Sequence, residues 1–252
     1  MKDEFTWIKQ FDYTIWYNPQ ELPSEDQIHG IKKYPGRFPP FIPKELIKKY
    51  TEIGDLILDP FVGSGTTLIE AIKQDRMSIG IDINEDAVKI CNEKISLLNN
   101  RRDKITRAYV GDARRLFLKD ETVDLIITSP PYWNMLEYSN KMDCLANQNN
   151  FNDYLCGIEK AIIEMYRVLK PNKYCCFVIS DYNEGWKFHP LGYHMQHLLI
   201  KNKFILQRII IHIQCRTKSI IMSNNRVKDR VLDKGLFLIA HEYIIIAKKI
   251  SE

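Results

Sequence analysis

Residues 128–133 read TSPPYW and close the apolar run VDLII. Proline has no NH, so Pro130 and Pro131 leave a backbone that accepts hydrogen bonds without donating any, and two in a row stiffen the loop that carries Ser129, Tyr132 and Trp133. Taken alone, the stretch is a double-proline turn at the end of a strand. A second stretch, DPFVGSGTTLIEA at 59–71, carries Gly63 and Gly65, which let the backbone turn tightly and approach a ligand closely. Thr66 and Thr67 then open a helix whose NH groups face the same crevice. This is not a phosphate-binding loop, because no lysine follows Gly65, and it fits a dinucleotide loop poorly, because Leu68 stands where a third small residue is needed. The acid that opens it, Asp59, would repel a pyrophosphate and suits a cationic ligand. Two further acids follow apolar runs. Asp82 in GIDIN stands where a carboxylate takes both hydroxyls of a ribose, and Asp112 in GDARRL stands where it can accept from the exocyclic amine of an adenine. Three acids at three successive strand ends point to a nucleoside bearing positive charge.

Ligands bind beyond the C-terminal ends of strands in an open α/β sheet, so the strands must bring these residues to one edge. The apolar runs at 55–59, 77–82, 107–110, 123–128 and 174–180 read as strands, with helix-period segments between them. Phe151 to Leu169 shows that period, with Leu155, Ile158, Ile162, Met165 and Leu169 along one face and Pro171 ending it, which makes Met165 a core residue. Strands apolar on both faces indicate a mostly parallel sheet with helices on both sides. FILQRIIIHI and LFLIAHEYIIIAKK have no helical segment between them and should pair antiparallel.

The 252 residues, 45% hydrophobic and 27% charged, supply ample core for one large domain. No apolar run reaches the roughly 20 residues of a membrane span, and MKDEFTWIKQ lacks the apolar segment of a secretory signal, so a cytoplasmic location is expected. Six cysteines without a CxxC pair read as reduced and structural, and the six histidines show no metal spacing. The net charge of +4 is unevenly spread: residues 201–235 hold nine Lys or Arg against two acids, which would draw a polyanion to one end of the chain.

In these motifs the chain resembles the S-adenosylmethionine-dependent methyltransferases that modify exocyclic amino groups of nucleic-acid bases. DPFVGSGTT looks like their cofactor loop, TSPPYW like their catalytic motif, residues 29–47 like the segment that packs on the methionine end of the cofactor, and HEYIIIAKK like their last strand. The resemblance implies a Rossmann-like methyltransferase fold: a mostly parallel, seven-stranded sheet with an antiparallel C-terminal strand and helices on both faces. Residues 1–42 would form an extension packing on the cofactor site, and 43–252 the methyltransferase domain. Asp59, Pro60, Phe61, Gly63, Ser64, Gly65, Thr66 and Thr67 would surround the methionine part of S-adenosylmethionine, with Phe38 and Pro39 beside them. Asp82 would take the ribose, and Asp112 with Ala113 the adenine. No metal is implied, and the role of the aromatic-rich residues 5–17 is open.

The same resemblance gives TSPPYW its chemistry. A base amine shares its lone pair with the ring and must be drawn toward tetrahedral geometry, which acceptors on its two hydrogens achieve; Ser129 Oγ and the Pro130 carbonyl are the candidates. Tyr132 would stack on the extracted base, a contact of about 1–3 kcal/mol in single-stranded recognition. Trp133 would wedge or pack, with packing favoured. Carbon-5 cytosine methylation needs a Pro-Cys nucleophile and zinc deamination an H-x-E with PCxxC; neither motif occurs.

Serine at 129 leans toward cytosine N4 over adenine N6, where aspartate is commoner; asparagine there marks a branch that methylates protein glutamines. The target-reading region would be the short basic loop 214–235, with Arg216, Lys218, Arg226, Lys228 and Arg230 on phosphates, and the loop 137–153 would approach the bases. DNA, methylated by an orphan or restriction-associated enzyme, is the first substrate. RNA selected by shape is the second, and a non-catalytic nucleoside-binding module the third. A monomer and a homodimer stay equally open.

Overall fold

The structure, a computed structural model, describes residues 13–17, 27–30, 38–98, 105–134, 139, 141–184, 187–214 and 239–251. Ten strands run in chain order: β1 (Ile15–Tyr17), β2 (Leu56–Asp59), β3 (Met77–Asp82), β4 (Thr106–Val110), β5 (Val123–Thr128), β6 (Leu169–Ile179), β7 (Tyr182–Glu184), β8 (Lys187–His189), β9 (Ile205–Ile213) and β10 (His241–Lys248). The helices are α1 (Gln27–Gly30), α2 (Phe41–Tyr50), α3 (Thr66–Lys73), α4 (Glu85–Leu98), α5 (Phe151–Val168) and α6 (Leu191–Lys201).

Eight strands form one sheet in the order β1-β9-β10-β6-β5-β2-β3-β4, and β7 and β8 make a separate hairpin. β2 to β6 are parallel neighbours, while β10 runs antiparallel to both β6 and β9. The sheet therefore has the one antiparallel C-terminal strand expected, but eight strands and not seven. The extra one is β1, from the aromatic-rich start to which no role was given: it pairs parallel with β9 and buries Trp16.

Period-2 alternation divides the core. Cys175, Phe177 and Ile179 of β6 face one cluster with Ile158, Ile162 and Met165 of α5, and Cys176 and Val178 face another with Phe41, Leu46 and Ile47 of α2. The adjacent cysteines are thus free thiols on opposite faces of the sheet, with burial pushing both up. Helix α5 begins at an Asn150 cap whose side chain accepts from the Asp153 NH, and it stops at Val168, earlier than the periodicity suggested. Leu169 is already extended and pairs with Val123. Pro171 lies inside β6, in an irregularity between the paired Leu169 and Tyr174 where its missing NH breaks no regular pairing. The residue before a proline avoids helical backbone, which is why the helix ends short of it.

The outer edge of β4 is covered from α4. The Asn92 amide donates to the Ala108 carbonyl at 2.9 Å and accepts from the Ala108 NH at 3.0 Å. No described helix is long and apolar enough to cross a membrane. The basic segment expected to read the target lies almost wholly in residues 215–238, outside the described residues, and with it Arg216, Lys218, Arg226, Lys228 and Arg230.

Candidate active site

β2 and β5 are hydrogen-bonded neighbours, Ile57 against Leu125 and Leu58 against Ile126, so the loops after them emerge side by side at the C-terminal edge of the sheet. Between them opens a cavity of about 760 Å³, part of it continuous with solvent. Phe38, Pro60, Phe61, Gly63, Ser64, Thr66, Asp82, Asp112 and Ala113 line it, and Ser129 and Pro131 of the proline loop line the same space.

The glycine loop is shaped by backbone that only glycine adopts easily. Gly63 and Gly65 have φ of 49° and 88°, and a Cβ on Gly65 would lie 2.5 Å from Cys91 Sγ. Asp82 fixes the loop from the next strand: one of its oxygens accepts from the Gly63 NH and the other from the Asn84 NH, both at 2.9 Å. Burial pushes the Asp82 carboxyl up against those hydrogen bonds, so an arriving positive charge would favour its ionised form. Asp112 is held in a fork by Arg114, whose Nε and Nη2 lie 2.8–2.9 Å from its oxygens, and Arg114 Nη2 also donates to the Asp143 carbonyl. Burial opposes ionisation there, but the Arg114 guanidinium outweighs it and keeps Asp112 below the usual carboxylate range.

The structure fits a nucleoside cofactor on a further point. Ser64 Oγ is buried in a residue of the cavity wall and has no hydrogen-bond partner. A ligand with polar groups at the loop would satisfy it, and natively buried hydroxyls are seldom left unpaired.

Several expected contacts fall elsewhere. Asp59 is 1% exposed and does not line the cavity. It accepts from Thr67 Oγ1 at 2.6 Å, Thr128 Oγ1 at 2.8 Å and the Phe61 NH at 3.2 Å. One carboxylate thereby joins the glycine loop, the start of α3 and the end of β5, and its oxygens are spent on that junction rather than on a ligand. Thr67 serves the junction too. Pro39, Gly65 and Pro130 do not line the cavity. Tyr132, 9% exposed, belongs to the larger core cluster, so its ring packs where base stacking was expected. Trp133 packs as well: its Nε1 donates to the Gln148 carbonyl at 2.9 Å and its ring meets Phe151 and His189.

A further wall comes from the 137–153 segment beyond the proline loop, which was expected to approach the bases without any of its residues being named. Ser139, Asp143, Cys144 and Leu145 line the cavity, and the Asn134 NH donates to the Ala146 carbonyl at 3.1 Å, tying that wall to the end of TSPPYW. The polar run after Trp133 carries no periodicity, so the sequence pointed to the loop without singling out these residues.

Burial pushes Asp59 up to about 6, against the hydrogen bonds of Thr67, Thr128 and Phe61. The folded chain therefore holds this proton more tightly than the unfolded one. The resulting stabilisation is complete below about pH 4 and is lost as the pH rises through about 6, a change on the order of 3 kcal/mol. Asp59→Asn keeps an acceptor for Thr128 and Phe61 and turns a donor toward Thr67. It is expected to melt with the wild type at pH 4 and above it at pH 7.5. Thermal melts at the two pH values decide this, and an equal offset at both would count against a buried charge at Asp59.

Comparison with known proteins adds three findings. The profile of the DNA methylase family matches residues 4–93 and 123–252, and that of the RMKL-like methyltransferase domain matches residues 50–149. The Type II methyltransferase M.MjaII of Methanocaldococcus jannaschii is 46% identical over 83 residues, 31% of this chain and 16% of that protein. A tRNA (guanine(10)-N2)-dimethyltransferase of Methanothermobacter thermautotrophicus is 37% identical over 100 residues, 39% of this chain and 29% of that protein. The matched stretches thus span less than a third of either relative. Among solved structures, a SAM-dependent methyltransferase of Methanosarcina mazei superposes with a TM-score of 0.56 at 18% identity, covering 82% of this chain and 98% of that one. That likeness is one of fold.

Proposed function

Because the chain belongs to the DNA methylase family, its match running through most of its length, we propose that it methylates an exocyclic amino group of a base in DNA, cytosine N4 in particular. The observation that carries the reading is the shared cavity: the glycine loop with Asp82 and Asp112 on one side, Ser129 and Pro131 on the other. The cofactor of this fold family is S-adenosylmethionine, and when bound it supplies an electrophilic methyl group on a sulfonium.

The chain's own residues would act by position. Gly63, Ser64 and Thr66 would meet the methionine end, Asp82 the ribose, and Asp112 with Ala113 the adenine. Phe38 beside them supports reading residues 1–42 as an extension over the cofactor. Ser129 Oγ would accept from the target amine and draw its lone pair out of ring conjugation, with Pro131 lining the same space beside it. Holding donor and acceptor in one geometry supplies most of the rate in such a reaction. No nucleophile of the protein bonds to the base, and the proton of the methylated amine leaves to water.

Cytosine is preferred because position 129 is serine, and a restriction-modification setting because M.MjaII is a Type II methyltransferase. The 37% identity to a tRNA dimethyltransferase favours RNA as the second reading. The test is to incubate the protein with labelled S-adenosylmethionine and either duplex DNA or total RNA, digest to nucleosides and identify the labelled one by mass spectrometry. N4-methyldeoxycytidine is expected. Label confined to RNA, or absent from every nucleoside, would overturn the proposal.

A further inference from the structure

Beyond the proline loop, Lys141 to Cys144 form a turn closed by the Cys144 NH donating to the Lys141 carbonyl at 3.0 Å. Met142 stands on it 89% exposed, the highest fraction among the large hydrophobic side chains of the described residues. One exposed apolar residue is ordinary by itself. What distinguishes this one is the ground beneath it. Asn147 Nδ2 donates to the Lys141 carbonyl at 2.9 Å, and Gln148 Nε2 to the carbonyls of Met142 and Cys144 at 3.3 and 3.1 Å. Arg114 Nη2 takes the Asp143 carbonyl at 3.0 Å, and Lys141 Nζ is paired with Glu85 at 2.8 Å. Four consecutive carbonyls are each held by a side chain, so the turn is fixed while its apolar side chain is offered to solvent. Asp143 and Cys144 of the same turn line the cavity that Ser129 and Pro131 line.

An amine inside a duplex cannot reach such a cavity unless its base leaves the stack, at a cost of a few kcal/mol. Other proteins insert apolar side chains, methionine among them, between base steps, unstacking and kinking the duplex there. Methionine suits the task, being unbranched and presenting a polarizable sulfur that packs favourably on aromatic rings. We propose that Met142 enters the duplex at the place the extracted base vacates and holds the gap open beside the cavity. The proposal rests on the base-methylation reading above.

The test measures transfer of labelled methyl to native and to heat-denatured DNA of one source by the wild type, Met142→Ala and Met142→Leu. On native DNA Met142→Ala is expected to lose about tenfold in kcat/KM, in keeping with the loss of one wedge. Its loss on denatured DNA, where nothing needs to be pried apart, should be smaller by about fivefold or more. Met142→Leu should recover most of the native-DNA rate. Because the turn is tied through its main chain, melting temperature and cofactor affinity should match the wild type in both variants. Equal losses on the two DNA forms, or no loss on native DNA, would overturn the wedge while leaving methylation standing. A wild type that methylates neither form would overturn both.

Discussion

Ser129→Ala is expected to slow methyl transfer by about a hundredfold or more, the usual effect of deleting one polar group aimed at the reacting atom, with cofactor affinity almost unchanged. The serine lines the cavity just past the end of β5, beside the glycine loop that follows β2. Its removal takes away the hydroxyl acceptor that the motif presents to the cavity. Pro131 and the flanking Trp133 bond to Gln148 hold the loop without help from the hydroxyl, so the fold should be untouched. Single-turnover rates at saturating S-adenosylmethionine, paired with calorimetric titration of the cofactor, separate the two effects. A parallel fall in affinity, or an unchanged rate, would remove Ser129 from the reaction.

Asp82→Ala should do the opposite, weakening the cofactor by about tenfold to a hundredfold. Hydrogen bonds to a charged group contribute about 1.5–3 kcal/mol each. The same carboxylate orders the loop through the Gly63 NH, which alanine would leave without its acceptor. Titration with both S-adenosylmethionine and S-adenosylhomocysteine, which lacks the sulfonium charge, tells ribose recognition from attraction to the sulfonium: loss on both ligands indicates the ribose, loss on the first alone the charge. Unchanged binding of both ligands would take Asp82 out of the site. Enough cofactor to saturate the variant should restore much of the turnover, as it cannot for Ser129→Ala.

The strands carrying these acids were legible because each is a short apolar run broken by a turn residue: Met77–Asp82 and Val123–Thr128 match the sequence expectation end to end. The side-by-side emergence of the glycine and proline loops was also implied, since a parallel sheet sends its C-terminal strand ends to one edge. Contacts between side chains distant in sequence were not. Nothing in DPFVGSGTT announces that the Thr128 hydroxyl, 69 positions away, turns Asp59 inward. Tyr132 reads as an exposed aromatic in a polar loop, and only the packing beneath β5 shows it buried. β1 was missed because three residues are too few to show a period. The turn around Met142 was invisible for a related reason: its order comes from amides of Asn and Gln, residues whose sequence signature is a loop.

The Asn92 amide does for Ala108 what another strand would do, offering one donor and one acceptor at the sheet's free margin. A margin so occupied gives an incoming chain no continuous row to zip onto, which guards against runaway stacking of copies during synthesis or crowding. Self-association at that rim would have to proceed through side chains, and it could recruit the bare Phe117 and Val110 there without ever extending the sheet.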